Sequence, residues 1–177
     1  MRRLALASIL CCTLAAHAQP AQPDPFAPIR FFVGEWRGNA SGEPGAEGAV
    51  ERTYAFVLEG RFLHERNVTT YAPGEANPKG ERHEHWSLFS YDRARKQIVL
   101  RQFHEESFVN TYVLARESTA LRLVFTSEDF ENFDDAWRGR ETYELRSPDE
   151  LVETFELAAP GKDFAVYSRS ELKRVLR

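Results

Sequence analysis

The chain has 177 residues, with 23 Lys and Arg against 27 Asp and Glu and a formal net charge of −4. That acidic balance lacks the basic patch from which nucleic-acid binding draws its counterion release, so no nucleic-acid partner is expected. Both cysteines, Cys11 and Cys12, fall within residues 1–18, so the rest of the chain has no disulfide to rely on and needs a core.

Met1-Arg2-Arg3 is a basic start, Leu4 to Ala16 an apolar run, and Ala16-His17-Ala18 a small-x-small cleavage site, the pattern of an export signal over residues 1–18. The apolar run is shorter than the ~20 residues a spanning helix needs, so no stable membrane insertion is expected after cleavage. Cleavage would remove Arg2 and Arg3 and no acid, leaving 21 basic against 27 acidic residues in a periplasmic or secreted protein. Residues 19–28 carry Pro20, Pro23, Pro25 and Pro28 and read as an extended lead. Residues 29–177 read as one domain, opened by a helical turn over 29–33 that plugs one end of it.

After that turn, short runs rich in β-branched and aromatic residues alternate with turn clusters, without a sustained helical period. Ten strands are predicted, over 34–40, 50–58, 61–71, 83–91, 97–104, 107–115, 121–126, 137–145, 151–157 and 164–172. Nearly all the links are short, so sequence neighbours pair as an up-and-down meander. An open meander would expose two edges, and closure removes both. The expected fold is all-β: a closed antiparallel up-and-down barrel of about ten strands with a short N-terminal helical plug. About eight strands fill a barrel with their own side chains, so ten are expected to leave a cavity for a small ligand.

Phe32-Val33-Gly34-Glu35-Trp36-Arg37-Gly38 carries a Gly-x-Trp-x-Gly pattern. It resembles the opening of calycin-type barrels, relatives of the fatty-acid-binding proteins, and its fuller form resembles the nitrobindin-like heme-binding β-barrel family. The resemblance implies that Trp36 closes the barrel floor. It also places His83-x-His85 where that family carries a His-x-Glu near its heme. Near the C-terminus it places Tyr167 where the family has the His that binds iron. Tyrosinate can ligate ferric heme, but the neutral imidazole used in ferrous-heme chemistry is missing there.

The stretch from Arg101 to Tyr112 holds the densest chemistry. An even loop centred on Glu105-Glu106 sets Arg101 opposite Asn110 and puts Tyr112 on the same face. A buried Arg is costly unless paired, and its fork suits a carboxylate or other anion, so Arg101, Asn110 and Tyr112 would grip an anionic ligand head. The alternative is a surface Arg101, or an internal pair with Glu141 or Glu153. His83 and His85 share a strand face, and an even loop over residues 92–96 brings His104 opposite His85. Three imidazoles on one wall suffice for a zinc or copper site, unless they are ordinary strand histidines. His64 has no evident partner. Arg138 and Arg140 share one face of a further strand while Glu141 and Tyr143 take the other, and either pair can line the lumen. The acidic run 128–135 reads as a solvated turn rather than a portal loop.

No Gly-x-Ser-x-Gly, phosphate-binding glycine loop, His-Glu-x-x-His or cysteine nucleophile is present outside the signal, so no catalytic residue is assigned. The expected function is an exported barrel binding a small, partly apolar ligand, anionic or heme-like, through Arg101, Asn110, Tyr112, His83, His85, His104, Arg140 and Tyr167. The alternatives are a metal- or heme-dependent enzyme using the lumen, and a structural or interaction protein of the cell envelope.

Overall fold

The computed structural model describes residues 23–42, 47–74, 78–134 and 136–176. The expected export signal and the first residues of the Pro-rich lead lie outside the described residues. A short 3-10 helix covers Ala27–Phe32. Ten strands follow: β1 (Gly34–Gly42), β2 (Gly48–Val57), β3 (Phe62–Tyr71), β4 (Glu81–Asp92), β5 (Gln97–His104), β6 (Val109–Leu114), β7 (Arg122–Glu131), β8 (Arg138–Ser147), β9 (Glu150–Ala158) and β10 (Ala165–Arg174). Each pairs antiparallel with its sequence neighbours, and β1 also pairs with β10, closing the barrel. The short links therefore generate the closed meander expected of them. Among the described residues no helix is long and apolar enough to cross a membrane.

Alternation along each strand sets which side chains enter the lumen. In β2, Val50, Arg52 and Tyr54 are buried while Glu51, Thr53 and Ala55 are exposed. The Gly-x-Trp-x-Gly pattern serves the seam. Gly38 pairs with Val50 on one side and Leu172 on the other, and a Cβ there would lie 1.8 Å from the Glu171 carbonyl oxygen. Only glycine lets β1 and β10 come this close. Trp36 is fully buried, and its indole N–H donates to the Phe32 carbonyl at 2.7 Å. The Arg174 guanidinium lies 4.2 Å from the Trp36 ring centre and donates to the carbonyls of Phe31 and Val33 at 2.7 Å, tying the helix exit to the last strand.

At this helix end Phe32 stacks on Tyr54 at 4.9 Å and meets Tyr143 edge-on at 5.0 Å, with Phe89 at 5.6 Å. Tyr54, Leu63, Phe89, Leu100, Phe125, Tyr143 and Leu151 are each at most 1% exposed. The half of the lumen near the helix is thus filled, which corrects the expectation that ten strands leave it hollow. Large aromatics make up the volume that eight strands would not enclose.

The seventh strand runs five residues further than predicted. Residues 128–131, expected in a solvated turn, continue β7 and bury Phe130 opposite Asn110. A bulge pairs Asp129 with Thr111 but Ser127 with Tyr112, leaving Glu128 outside the ladder. There its carboxylate accepts two hydrogen bonds from Arg95, at 2.6 and 2.8 Å.

Two substitutions test this account. Gly38→Ala forces β10 away from β1 and should cost about 3 kcal/mol or more, read as a large fall in the urea midpoint. Trp36→Phe orphans the buried Phe32 carbonyl and leaves a void, and should cost about 2–3 kcal/mol in the same measurement. A neutral Gly38→Ala would contradict the tight seam.

Candidate functional site

The histidine wall is built by the β4–β5 hairpin. Its four-residue loop pairs Asp92 with Gln97, held by Asp92 Oδ1 accepting the N–H groups of Ala94 at 2.9 Å and Arg95 at 3.0 Å. That even loop sets His85 directly opposite His104. Their rings lie 5.1 Å apart, with His83 at 5.9 Å from His85 and 5.8 Å from His104. His83 Nε2 meets the Glu106 carboxylate at 3.0 and 3.1 Å. Asn110 Nδ2 lies 3.2 Å from His104 Nε2, and Asn67 Nδ2 lies 3.5 Å from His85 Nδ1.

The next hairpin departs from expectation. Its loop is odd, Glu105-Glu106-Ser107, closed by Ser107 N–H to the His104 carbonyl at 2.9 Å and by His104 N–H to the Phe108 carbonyl at 3.1 Å. Ser107 adopts φ +73°, the left-handed residue of a three-residue hairpin. Arg101 therefore pairs with Thr111, and Asn110 pairs with Gln102. Asn110 and Tyr112 are buried on the lumen side, whereas Arg101 is exposed on the outer wall, where it reaches the Ser90 hydroxyl at 3.3 Å. The expected grouping of Arg101 with Asn110 and Tyr112 is not formed.

Arg140 also faces outward. It makes a two-pronged pair with Glu156 at 2.6 and 2.7 Å and lies 4.4 Å from the Phe164 ring centre. Glu141 and Tyr143, on the opposite face of the strand, are the ones that enter the barrel. Tyr167 falls at a bulge between Val166 and Ser168; it is 42% exposed and packs edge-on against Phe155 at 5.7 Å. His64 stands on the outer wall against Trp86, ring centres 5.3 Å apart.

Between the aromatic floor and the histidines lies a charged band that the sequence reading passed over. Arg52 donates to Glu153, to Asn67 Oδ1 at 2.6 Å and to Ser170 Oγ at 3.4 Å, and its Nε lies 3.5 Å from Glu65 Oε1. Tyr54 donates to Glu65 at 3.0 Å. Glu141 is buried within electrostatic reach of Glu153, Arg52 and Glu65, so one guanidinium shares the layer with three buried carboxyls. Arg52 Nη1, Glu141 Oε2, Tyr143 Oη, His85 Nε2 and His104 Nδ1 are buried without a hydrogen-bond partner. The signal for this band was phase: Arg52 keeps step with Val50 and Tyr54, Glu65 with Leu63, and Glu153 with Leu151.

Aromatic rings line the end away from the helix. Phe133 lies 5.9 Å from Phe130, 5.9 Å from Trp137 and 6.1 Å from Phe108, and Phe108 stacks on His104 at 4.3 Å. Burial pushes His85 well below the usual imidazole range and brings His104 down to about 4, so both rings are neutral at pH 7. Burial, and then the Glu153 charge, push Glu141 well above the usual carboxylate range; burial also raises Glu65.

A carboxyl raised in the folded state keeps a proton that the unfolded chain has already lost. Its contribution therefore weakens the fold as pH climbs from the unfolded value, ~4.3, toward the folded one. Glu141→Gln removes that penalty. Urea denaturation should show the variant gaining on the parent above about pH 5, reaching roughly 1–2 kcal/mol by pH 8. A difference that stays flat with pH would show that Glu141 is not held protonated.

No protein-family profile matches the chain. No curated protein matches it in sequence either. Among solved structures, Rv2717c from M. tuberculosis superimposes with a TM-score of 0.65 at 17% identity, over 87% of this chain and 99% of that one. A de novo designed fluorescence-activating β-barrel superimposes with a TM-score of 0.43 at 12% identity, over 82% of this chain and 95% of that one, too distant to bear on function. The chain is similar to Rv2717c in fold, as a ten-stranded closed barrel.

Proposed function

We propose that this protein is an exported small-ligand-binding barrel that receives a partly apolar molecule at the histidine end. Support comes from the polar layer beneath the aromatic rim, where Tyr143 Oη, Glu141 Oε2, His85 Nε2 and His104 Nδ1 are buried without a hydrogen-bond partner in the protein. Buried polar groups are costly unless bonded, and a ligand reaching this layer would bond them. Phe108, Phe133 and Trp137 offer the apolar contact above it. Export, to the periplasm or outside, rests on the signal pattern of residues 1–18.

The charges favour a neutral or hydrogen-bond-donating polar end over an anion. Arg101, the cation expected to grip an anion, is on the outer wall, and the lumen's Arg52 has its charge met by Glu153 and Glu65, with Nη1 left without a hydrogen-bond partner. Heme fits less well. Tyr167, at the ligand position implied by the resemblance, is 42% exposed and its ring packs on Phe155, while the band below is rich in carboxyls.

Titration of the purified chain with a neutral naphthylamine dye, alongside native mass spectrometry for a co-purified molecule, tests this reading. The dye should bind one per chain and saturate. Phe133→Ala should weaken it about tenfold, roughly 1.4 kcal/mol of lost apolar contact, and Arg101→Ala should leave it unchanged. No saturable dye binding together with no co-purified molecule would refute it, as would equal losses in the two variants.

A further inference from the structure

We propose that His83, His104 and Glu106 hold one divalent transition-metal ion of the Zn2+ type at the histidine end of the barrel. One ligand atom from each of the three lies within 4.8 Å of the others. Atoms bound tetrahedrally to Zn2+ at ~2.0–2.2 Å sit about 3.3 Å apart. His83 Nε2 and Glu106 Oε1, at 3.0 Å, already have that spacing. Glu106 rides on the exposed turn before Ser107.

Two hairpins deliver the set. The even β4–β5 loop puts His83 and His104 on one wall, and the odd β5–β6 loop folds Glu106 back against His83. His104 Nδ1 is buried without a hydrogen-bond partner, and Asn110 lies 3.2 Å from the other ring nitrogen, Nε2; with its carboxamide turned so that the oxygen accepts from Nε2–H, it would serve as the outer partner that metal-bound imidazoles use.

The competing arrangement is the direct contact of His83 with Glu106, at 3.0 Å, which fills the place the ion would take. Two imidazoles and a carboxylate leave a tetrahedral ion one open position for water or a ligand donor atom. His85 belongs to the same wall, its buried Nε2 also lacking a hydrogen-bond partner. Imidazole and carboxylate together suit Zn2+, Cu2+, Ni2+ or Co2+ over Mg2+ or Ca2+.

The test uses the full chain without a histidine tag, stripped with chelator and titrated with Zn2+ by calorimetry, and separately with Co2+ in the visible range. The expected result is one ion per chain and a Co2+ spectrum of nitrogen–oxygen four-coordination, with a higher thermal midpoint when Zn2+ is present. His83→Ala should weaken Zn2+ about 100-fold or more and Glu106→Gln about tenfold or more. Both side chains lie toward the surface, 22% and 46% exposed, so circular dichroism should show these variants folded. His64→Ala, on the outer wall, should change nothing. Absence of saturable binding to the parent chain, wild-type affinity in His83→Ala, or an equal loss in His64→Ala would overturn the assignment. The dye titration reads the aromatic rim and this one reads the ion, so either can fail alone.

Discussion

A guanidinium at the centre of a closed barrel has no water to turn to, and the arrangement of the whole lumen follows from where Arg52 goes. It is 4% exposed and engages Glu153 and Asn67, with Glu65 alongside. Those partners come from β9 and β3, so one side chain binds strands on either side of the seam. Removing one member of such a buried pair leaves a bare charge and costs about 3–5 kcal/mol. The pairing adds little net stability over an apolar filling. What it does is fix the relative register of distant strands, because the forked donor meets its acceptors in one arrangement only.

This charged layer divides the lumen. On the helix side, Phe32, Tyr54, Phe89, Phe125 and Tyr143 pack ring against ring. On the other side, imidazoles, carboxamides and a carboxylate share the wall with a chain of exposed and half-exposed rings. Stability is concentrated at one end and chemistry at the other. The three carboxyls that share the middle layer with one guanidinium give it an acidic bias, which the raised affinity of Glu141 and Glu65 for protons moderates.

Much of the architecture was legible in the sequence because it is local. Short links between alternating strands leave a meander few choices, and the loop from Asp92 declares its length through Asp92 itself, so the meeting of His85 with His104 could be read beforehand. The β5–β6 register could not, since it turns on Ser107 taking a left-handed conformation that nothing about a serine announces. One residue of slip moved Arg101 from lumen to outer wall. The extension of β7 was hidden by its acidic residues: the bulge turns Glu128 outward to Arg95 while Phe130 goes in. The Arg52 network was legible in principle, from charges keeping step with apolar neighbours, but its pairings join residues as much as 118 positions apart.

The seam between β1 and β10 has a bearing on how the chain acquires its shape. Trp36 and Arg174 face each other there although about 140 residues separate them, while other neighbouring strands follow one another along the chain. Bringing such distant segments together costs more chain entropy than any hairpin, and the reward comes only after the intervening strands are in place. Zipping can thus run from turn to turn, with the Gly38–Leu172 contact as the final stitch. Until that stitch is made the chain is a curved sheet with two raw borders. The narrowness of the gap at Gly38 decides whether the borders find each other or another molecule.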